Sequence, residues 1–525
     1  MVKRASPTSV IDPTDNRGIR VHMISLGCPK NLVDSEMILG NAGATGAAIA
    51  LDADEADVIV VNTCGFIEAA KEESIQTILE ACELKRASPT PKKVVVTGCL
   101  AQRYGEELRK EIPEVDAILG LGEYDDIGSV FRSLSAADRS ELVYRISEPD
   151  KACNAEVGRV RLTPAHYGYI KISEGCDNPC TFCAIPHMRG RFRSKPIELI
   201  EQEARELVAS GAKELILISQ DTTSYGFDIS GEFTLPQLLE RVSAVDGVEW
   251  IRILYAYPAF LTDAMLESVA AIDNVVNYID LPLQHIADKT LRRMGRRMDE
   301  RKTRDLLERA RRIVPGLYLR TTFIVGFPGE TDEEFATLRD FVREFEFERL
   351  GVFAYSEEEG TPSATFADQV PPEVRGERLK ELMLAQQEIA FRQNHSRRGE
   401  RTKVLVDRIE TLDDGRRRLH GRTFGEAPEI DQSVLVNLQS AATPDIATPE
   451  SLGPGIRGVP MLGGTGRTNS FGAGTLAGDL LDVTITGSQD YDLIGKLSPP
   501  SAPLQAFRAR RTSGEPGVGS VESNS

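Results

Sequence analysis

Cysteine is the residue type whose spacing in this chain points to chemistry. Cys176, Cys180 and Cys183 lie in KISEGCDNPCTFCAIPHMRG, directly after an apolar run that reads as a strand, with the spacing CxxxCxxC. A tight loop bearing three thiolates can hold three irons of a 4Fe-4S cluster and leave the fourth iron open to chemistry. A zinc site would want four nitrogen or sulfur ligands, and His187 could supply the fourth, but zinc leaves the loop spacing unexplained. CTFC alone could be a dithiol redox pair, which leaves Cys176 idle.

A second set is dispersed. Cys28, Cys64 and Cys99 are far apart in sequence, yet each directly follows a short apolar run: VHMISLG, DVIVVNT and KVVVTG. In a parallel sheet such positions converge on one edge, where three thiolates could meet around a second open-iron cluster. Cysteines of this kind are often small buried hydrophobes, but three repeats of strand-then-Cys weigh against that reading. Cys82 falls on the apolar face of a helical segment and reads as core. Cys153 sits in a polar stretch and has no nameable partner.

The elements that would position these residues follow from periodicity. Residues 1–18 read as a flexible tail. From 19 to 145 short apolar runs alternate with helical segments such as NLVDSEMILG and IEAAKEESIQTILEAC, the pattern of βαβ units and a parallel α/β sheet. A polar linker is expected over 146–165. From 166 to 396 the runs YGYIKIS, ELILIS, WIRILYAYP, YIDLPL, YLRTTFIVGFP and RLGVFAYS alternate with helical segments, which predicts a partial (β/α)6 barrel with its chemistry at the C-terminal strand ends. RGERLKELMLAQQEIAFRQNH reads as a connector helix packed on that barrel. Residues 401–497 hold the β-rich segments TKVLVDRI, RLHGRTF, SVLVNL and DLLDVTITG, a small β-barrel interrupted at 440–477 by an insertion too rich in Gly, Pro, Ser and Thr to pack a core. A disordered tail is expected over 498–525. The fold class is thus α/β and multidomain, ending in a small β-barrel.

Composition narrows the partners. A net charge of −18 over 525 residues argues against an extended phosphate-binding surface and favours a basic partner. With no signal-like N-terminus and no long uncharged apolar run, a soluble cytoplasmic protein with reduced cysteines is expected.

The CxxxCxxC loop, with Phe182 before its last cysteine and a six-unit array behind it, resembles the radical S-adenosylmethionine enzymes. The resemblance implies that the open iron is chelated by the amino and carboxylate groups of S-adenosylmethionine, whose cleavage gives a 5′-deoxyadenosyl radical that removes hydrogen from unreactive carbon. It also makes Phe182, Gln220, Asp221 and Gly326 candidate cofactor contacts. Asp221 equally suits a helix cap, and Gly326, with Pro328 and Gly329, a turn. SLGCPKN, VNTCGFI, VTGCLAQR and the terminal barrel are together similar to the methylthiotransferase family, with SLGCPKN, IRILYAYP and APEID closer to its ribosomal-protein (RimO-type) branch.

That resemblance carries the auxiliary-cluster ligands onto Cys28, Cys64 and Cys99, and the TRAM-type barrel onto the segment from 401. It implies two 4Fe-4S clusters, and two S-adenosylmethionine molecules consumed per methylthio group added to an aspartate β-carbon of the twelfth small-subunit ribosomal protein. A flavodoxin- or ferredoxin-type reductant, no membrane, and a monomer are expected alongside. The insertion at 440–477 departs from the family pattern and leaves substrate docking open. A tRNA adenosine methylthiotransferase would share every cluster ligand, although acidic residues outnumber basic ones in the barrel segment. A non-catalytic iron-sulfur carrier would be expected to have four cysteines per cluster.

Overall fold

A computed structural model of the chain describes residues 18–134, 141–149, 158–438 and 476–499. Cys153 lies outside these residues, as do nearly all of the expected insertion (440–477) and of the two expected tails (1–18 and 498–525). The chain divides into two compact units, Met1–Ala390 and Phe391–Ser525.

The first unit holds two parallel sheets. One contains β1 (Arg20–Ser25), β2 (Ala48–Ile49), β3 (Val58–Thr63), β4 (Lys93–Gly98), β5 (Ala117–Leu119) and β6 (Val143–Arg145), in the order β2-β1-β3-β4-β5-β6. β3 and β4 read VIVVNT and KVVVTG. Such β-branched runs are what a strand covered on both faces requires. Val58, Val60 and Val95 pack on one face beneath the helices Pro29–Ala44 and Ile127–Leu134. Ile59, Val61, Val94 and Val96 pack on the other, beneath the helices Glu68–Ala87 and Cys99–Glu111. Cys82 belongs to this second layer, as its helical spacing predicts. The strands β2, β5 and β6 go beyond the sequence reading, because two or three residues are too few to show a period.

The second sheet begins with β7 (Tyr167–Lys171). A short antiparallel ribbon of β8 (Ser173–Glu174) and β9 (Arg193–Ser194) then clasps the loop that carries Cys176, Cys180 and Cys183. The sheet continues through β10 (Glu214–Ile218), β11 (Trp250–Ile253), β12 (Val275–Asp280), β13 (Tyr318–Val325) and β14 (Arg349–Ala354). Its order, β14-β13-β12-β11-β10-β7, is sequential and parallel, with no bond joining β7 to β14. This is the expected partial barrel of six strands. Leu319, Phe323 and Val325 of β13 join the layer shared with the surrounding helices. The alternate residues Tyr318, Arg320 and Thr322 therefore take the other face. That inner face is polar: Arg252 and Glu214, both fully buried, pair at 2.7 Å, and Arg320 pairs with Asp280 at 2.8 Å. The connector helix runs Pro372–Ser396, and its Leu382 and Ile389 pack into the barrel's outer layer.

The second unit is a closed barrel of β15 (Arg401–Thr411), β16 (Arg417–Arg422), β17 (Val434–Asn437), β18 (Leu480–Gln489) and β19 (Asp492–Leu497), in the order β15-β16-β17-β19-β18. Val404, Val406, Leu419, Val436, Val483 and Ile485 fill it. The sequence reading has four of these strands; β19 closes the ring by pairing with both β17 and β18. Among the described residues, no helix is long and apolar enough to cross a membrane.

Candidate functional site

β1, β3 and β4 run in register, with Ser25 beside Asn62 and Asn62 beside Thr97. The chain therefore leaves all three strands at one edge. Cys28 caps the helix Pro29–Ala44, Cys64 follows β3, and Cys99 opens its own helix. The loops nest closely: a Cβ on Gly27 would lie 2.7 Å from the Cβ of Cys64, and one on Gly65 3.1 Å from the carbonyl carbon of Cys99. Asn31 pins them, its Nδ2 donating to the carbonyls of Leu26 (2.8 Å), Asn62 (3.2 Å) and Thr63 (3.2 Å). The Asn62 side chain returns a bond to the Asn31 carbonyl at 2.8 Å. Burial raises the thiol of Cys64 and pushes that of Cys99 up to about 12, against the nearby Arg189. Thiols so placed give up their protons when a metal takes the sulfur.

The second set is held by its own loop. Gly175, with φ of +78°, precedes Cys176, and a Cβ there would fall 2.0 Å from the carbonyl oxygen of Arg191, so only glycine lets the loop close on itself. The Cys176 N–H donates to the Gly190 carbonyl and the Cys183 N–H to the Cys180 carbonyl, each at 3.2 Å. Donors face the sulfurs. Asn178 Nδ2 lies 3.5 Å from Cys176 Sγ, Arg296 Nη1 lies 3.4 Å from Cys180 Sγ, and the Ile185 N–H bonds to Cys183. Burial pushes the Cys176 thiol up to about 11 and the Cys183 thiol to about 12. N–H groups aimed at buried sulfur, among them that of Phe66 at Cys64 in the first set, suit a bound, anionic thiolate, so both sets fit a cluster. His187, the fourth ligand a zinc site would need, is exposed. Among the described residues no three His, Cys, Asp or Glu side chains converge on a single metal ion. Thiolates that each take a different iron need not do so.

The two sets share one neighbourhood, since Cys99 packs with Ala184 and Met188 just beyond Cys183. The other candidates lie around the second loop. Phe182 sets its ring edge-on to Phe327, centroids 6.4 Å apart. Asp221 is fully engaged: Oδ1 accepts from Thr223 N (3.1 Å) and Oγ1 (2.6 Å), and Oδ2 accepts from Ser224 Oγ (2.7 Å) and Asn178 Nδ2 (2.7 Å). It caps the turn after β10 and anchors the cysteine loop through Asn178. Gln220 donates to Glu174 Oε1 at 2.8 Å, while its own Oε1 is buried with no partner among the described residues. Gly326 has a φ of +70°, and a Cβ on it would meet Arg375 Cγ at 2.4 Å. Its space is filled by the connector helix, so a reason for glycine lies within the fold.

Sequence reasoning missed three groups here. Tyr257, in the YAYP run after β11, has a buried hydroxyl facing the Arg297 backbone N–H, and Arg296 stacks over its ring at 4.2 Å. A tyrosine just past a barrel strand was the available signal. Glu174 and Arg189 flank the cysteine loop and pair at 3.0 Å. Lys30, beside Cys28, is buried, and burial brings its ammonium down to about 8. Single charged residues on loops and helices carry no pattern that would have found them.

Residues 20–120 match the family described as uncharacterized protein family UPF0004, and residues 170–342 match the radical SAM superfamily. The chain is 42% identical over 478 residues to the ribosomal protein uS12 methylthiotransferase RimO of Geobacter sulfurreducens, covering 91% of this chain and 98% of that protein. It is 46% identical over 419 residues to the protein of the same name from Desulforamulus reducens, covering 79% and 92%.

The chain belongs to the RimO methylthiotransferase family.

Membership makes this methylthiotransferase a transferase of the radical S-adenosylmethionine class, with S-adenosylmethionine and 4Fe-4S clusters as cofactors. Among solved structures it is similar to the radical S-adenosylmethionine methyltransferase TsrM from Kitasatospora setae, at 13% identity and a TM-score of 0.47, covering 66% of this chain and 74% of that one.

Proposed function

We propose that this chain adds a methylthio group to the β-carbon of an aspartate in ribosomal protein uS12, the protein named in its relatives' descriptions. The observation that carries the reading is the meeting of two three-cysteine sets within one compact unit, Cys99 of the first packing beside the loop of the second. Cys176, Cys180 and Cys183 would hold the cluster that takes S-adenosylmethionine, and Cys28, Cys64 and Cys99 the auxiliary one. Bound there, these groups would supply one-electron removal of hydrogen, the sulfur and the methyl group.

The chain's own residues orient and enclose. Asp221 fixes Asn178, which faces the Cys176 sulfur, and Arg296 faces that of Cys180. The unpartnered Gln220 Oε1 and the buried Tyr257 hydroxyl offer polar contacts to S-adenosylmethionine, with Phe182 as an apolar wall. Asp221 and Gly326 act on the cofactor through the loop and turn that they hold. In this assignment residues 19–145 are the auxiliary-cluster domain, 146–165 a linker, 166–396 the radical domain and 401–497 a TRAM-like barrel with its insertion at 440–477. The protein would work as a monomer in the cytoplasm, reduced by a flavodoxin- or ferredoxin-type donor.

Mass spectrometry after anaerobic incubation with S-adenosylmethionine and reductant tests this, with uS12 and tRNA offered separately. A methylthio mass increment on one aspartate of uS12 is expected. An increment confined to tRNA adenosine would overturn the reading.

A further inference from the structure

Lys30 is a buried cation with no directly bonded anion among the described residues; the sulfur of Cys28 is the strongest negative charge acting on it, and a cluster would engage that sulfur. It stands in the first turn of the helix Pro29–Ala44, two residues past Cys28, and is 7% exposed. Its Nζ lies 3.0 Å from the centroid of the Tyr255 ring, and it makes no hydrogen bond or ion pair with any described residue. The carboxylates around it are already committed. Asp280 pairs with Arg320 at 2.8 Å, and Glu174 pairs with Lys171 at 2.7 Å and Arg189 at 3.0 Å. An ammonium taken out of water without a counter-charge is costly, and an aromatic face offsets only part of that cost.

Its position is informative. Tyr255 lies just past β11, at the mouth of the partial barrel, with a left-handed φ of +63° that a tyrosine adopts only under constraint. Two bonds impose it: the Tyr255 N–H donates to Asp280 Oδ2 at 3.0 Å, and the Tyr255 carbonyl accepts from the Thr222 N–H at 3.1 Å. The ring is thereby held against the helix that starts at Cys28. Lys30 sits where the first cysteine set faces the barrel mouth, the place at which a substrate carbon must lie if both sets act on it.

We propose that Lys30 receives the side-chain carboxylate of the substrate aspartate and so selects aspartate over its neutral analogues. Tyr255 holds the ammonium in place until the substrate arrives. This rests on the aspartate reading above. The carboxylate of S-adenosylmethionine is the other anion that could use this ammonium, and the two are separable by experiment.

Peptides spanning the uS12 modification site, with the target aspartate or with asparagine in its place, are offered to the reconstituted enzyme and to Lys30→Met, Lys30→Gln and Lys30→Arg. Peptide affinity, S-adenosylmethionine affinity and iron content are measured for each. The parent enzyme should prefer the aspartate peptide by about 10-fold or more, the scale of one charge-assisted contact. Lys30→Met and Lys30→Gln should lose that preference while keeping iron and S-adenosylmethionine affinity, and Lys30→Arg should retain most of it. An unchanged ratio in both neutral variants would overturn the proposal. If S-adenosylmethionine affinity then falls, the ammonium serves that cofactor; if iron falls, it balances the thiolates. No methylthio product from the parent enzyme on uS12 would overturn the aspartate reading itself, and this inference with it.

Discussion

Asp34 and Arg189, 155 residues apart in sequence, meet at 2.8 Å in the interior of the first unit. Arg189 reaches on to Glu174 at 3.0 Å, Glu174 to Lys171 at 2.7 Å, and Lys171 back to Asp34 at 2.6 Å. The result is a closed ring of alternating charge, in which every member has two opposite neighbours. Asp34 lies on the helix after Cys28, and Glu174 and Arg189 flank the other cysteine loop, so the ring ties one set to the other. Burial alone would raise the Glu174 carboxyl, but Arg189 and Lys171 outweigh it and hold the group well below the usual carboxylate range.

Breaking the ring at one point should cost more than the ring contributes, because a buried charge is then left without its partner. Arg189→Met is expected to destabilise the first unit by about 3 to 5 kcal/mol. Asp34→Asn combined with Arg189→Met should cost less than the sum of the two single changes. Anaerobic denaturant titration of the four proteins measures this, and strict additivity would show that the two residues do not act together.

Iron content tests the division of the cysteines. Reconstituted protein should bind about eight irons, and the Cys28→Ala, Cys64→Ala, Cys99→Ala triple variant about four. The variant should still cleave S-adenosylmethionine reductively, because the Cys176 loop has its own clasp in β8 and β9. Loss of cleavage in a folded variant would mean that the two sets do not have separate tasks.

What the sequence could show was the part with a period. Three strand-then-Cys repeats placed Cys28, Cys64 and Cys99 at one edge because adjacent parallel strands stay in register, and six apolar runs in succession made a partial barrel. β5 and β6, each of three residues, fall below any readable period. Asp34, Arg189 and Lys30 were invisible for another reason. A charged residue on a helix ordinarily reads as a solvated face, and only tertiary packing of the helix Pro29–Ala44 against the barrel end buries these. The left-handed Tyr255 has no local signature either, since its conformation is imposed by Asp280 and Thr222.

Asp221 can be tested as an anchor of the cysteine loop. Asp221→Ala removes the acceptor that fixes Asn178 and uncaps the turn at Thr222–Ser224. The expected loss is about 1 to 2 kcal/mol. It should appear with faster iron release from the Cys176 loop on exposure to air, against an unchanged rate from the auxiliary set. Asp221→Asn, which keeps one acceptor oxygen, should be intermediate. Equal acceleration at both sets would point to general unfolding and remove the anchoring role.

His285 and Glu330 yield a pH prediction whose two parts oppose each other. Both are fully buried beneath the turn after β13, His285 Nε2 lying 3.6 Å from Glu330 Oε2. His285 Nδ1 accepts from the Ala287 N–H at 3.0 Å, so a neutral ring carries its hydrogen on Nε2. Burial, aided by the charge of Arg378, brings His285 down to about 3. Burial pushes Glu330 up to about 7, although Arg378 and the N–H groups of Phe327 and Gly326 pull the other way. The depressed histidine contributes stability that is present above its unfolded value near 6.5 and is lost as pH falls toward 3. The raised carboxyl contributes stability that is present below its unfolded value near 4.3 and is lost as pH rises through about 7. Between those unfolded values the two slopes, each about 1.4 kcal/mol per pH unit, cancel. Glu330→Gln should therefore leave a protein that loses stability relative to the parent between about pH 6.5 and pH 5, by about 2 kcal/mol. His285→Gln should show the reverse slope over the same window. Denaturation midpoints of the parent and both variants, measured anaerobically near pH 5 and near pH 6.5, decide the matter, and parallel pH profiles for all three would refute the opposed titrations.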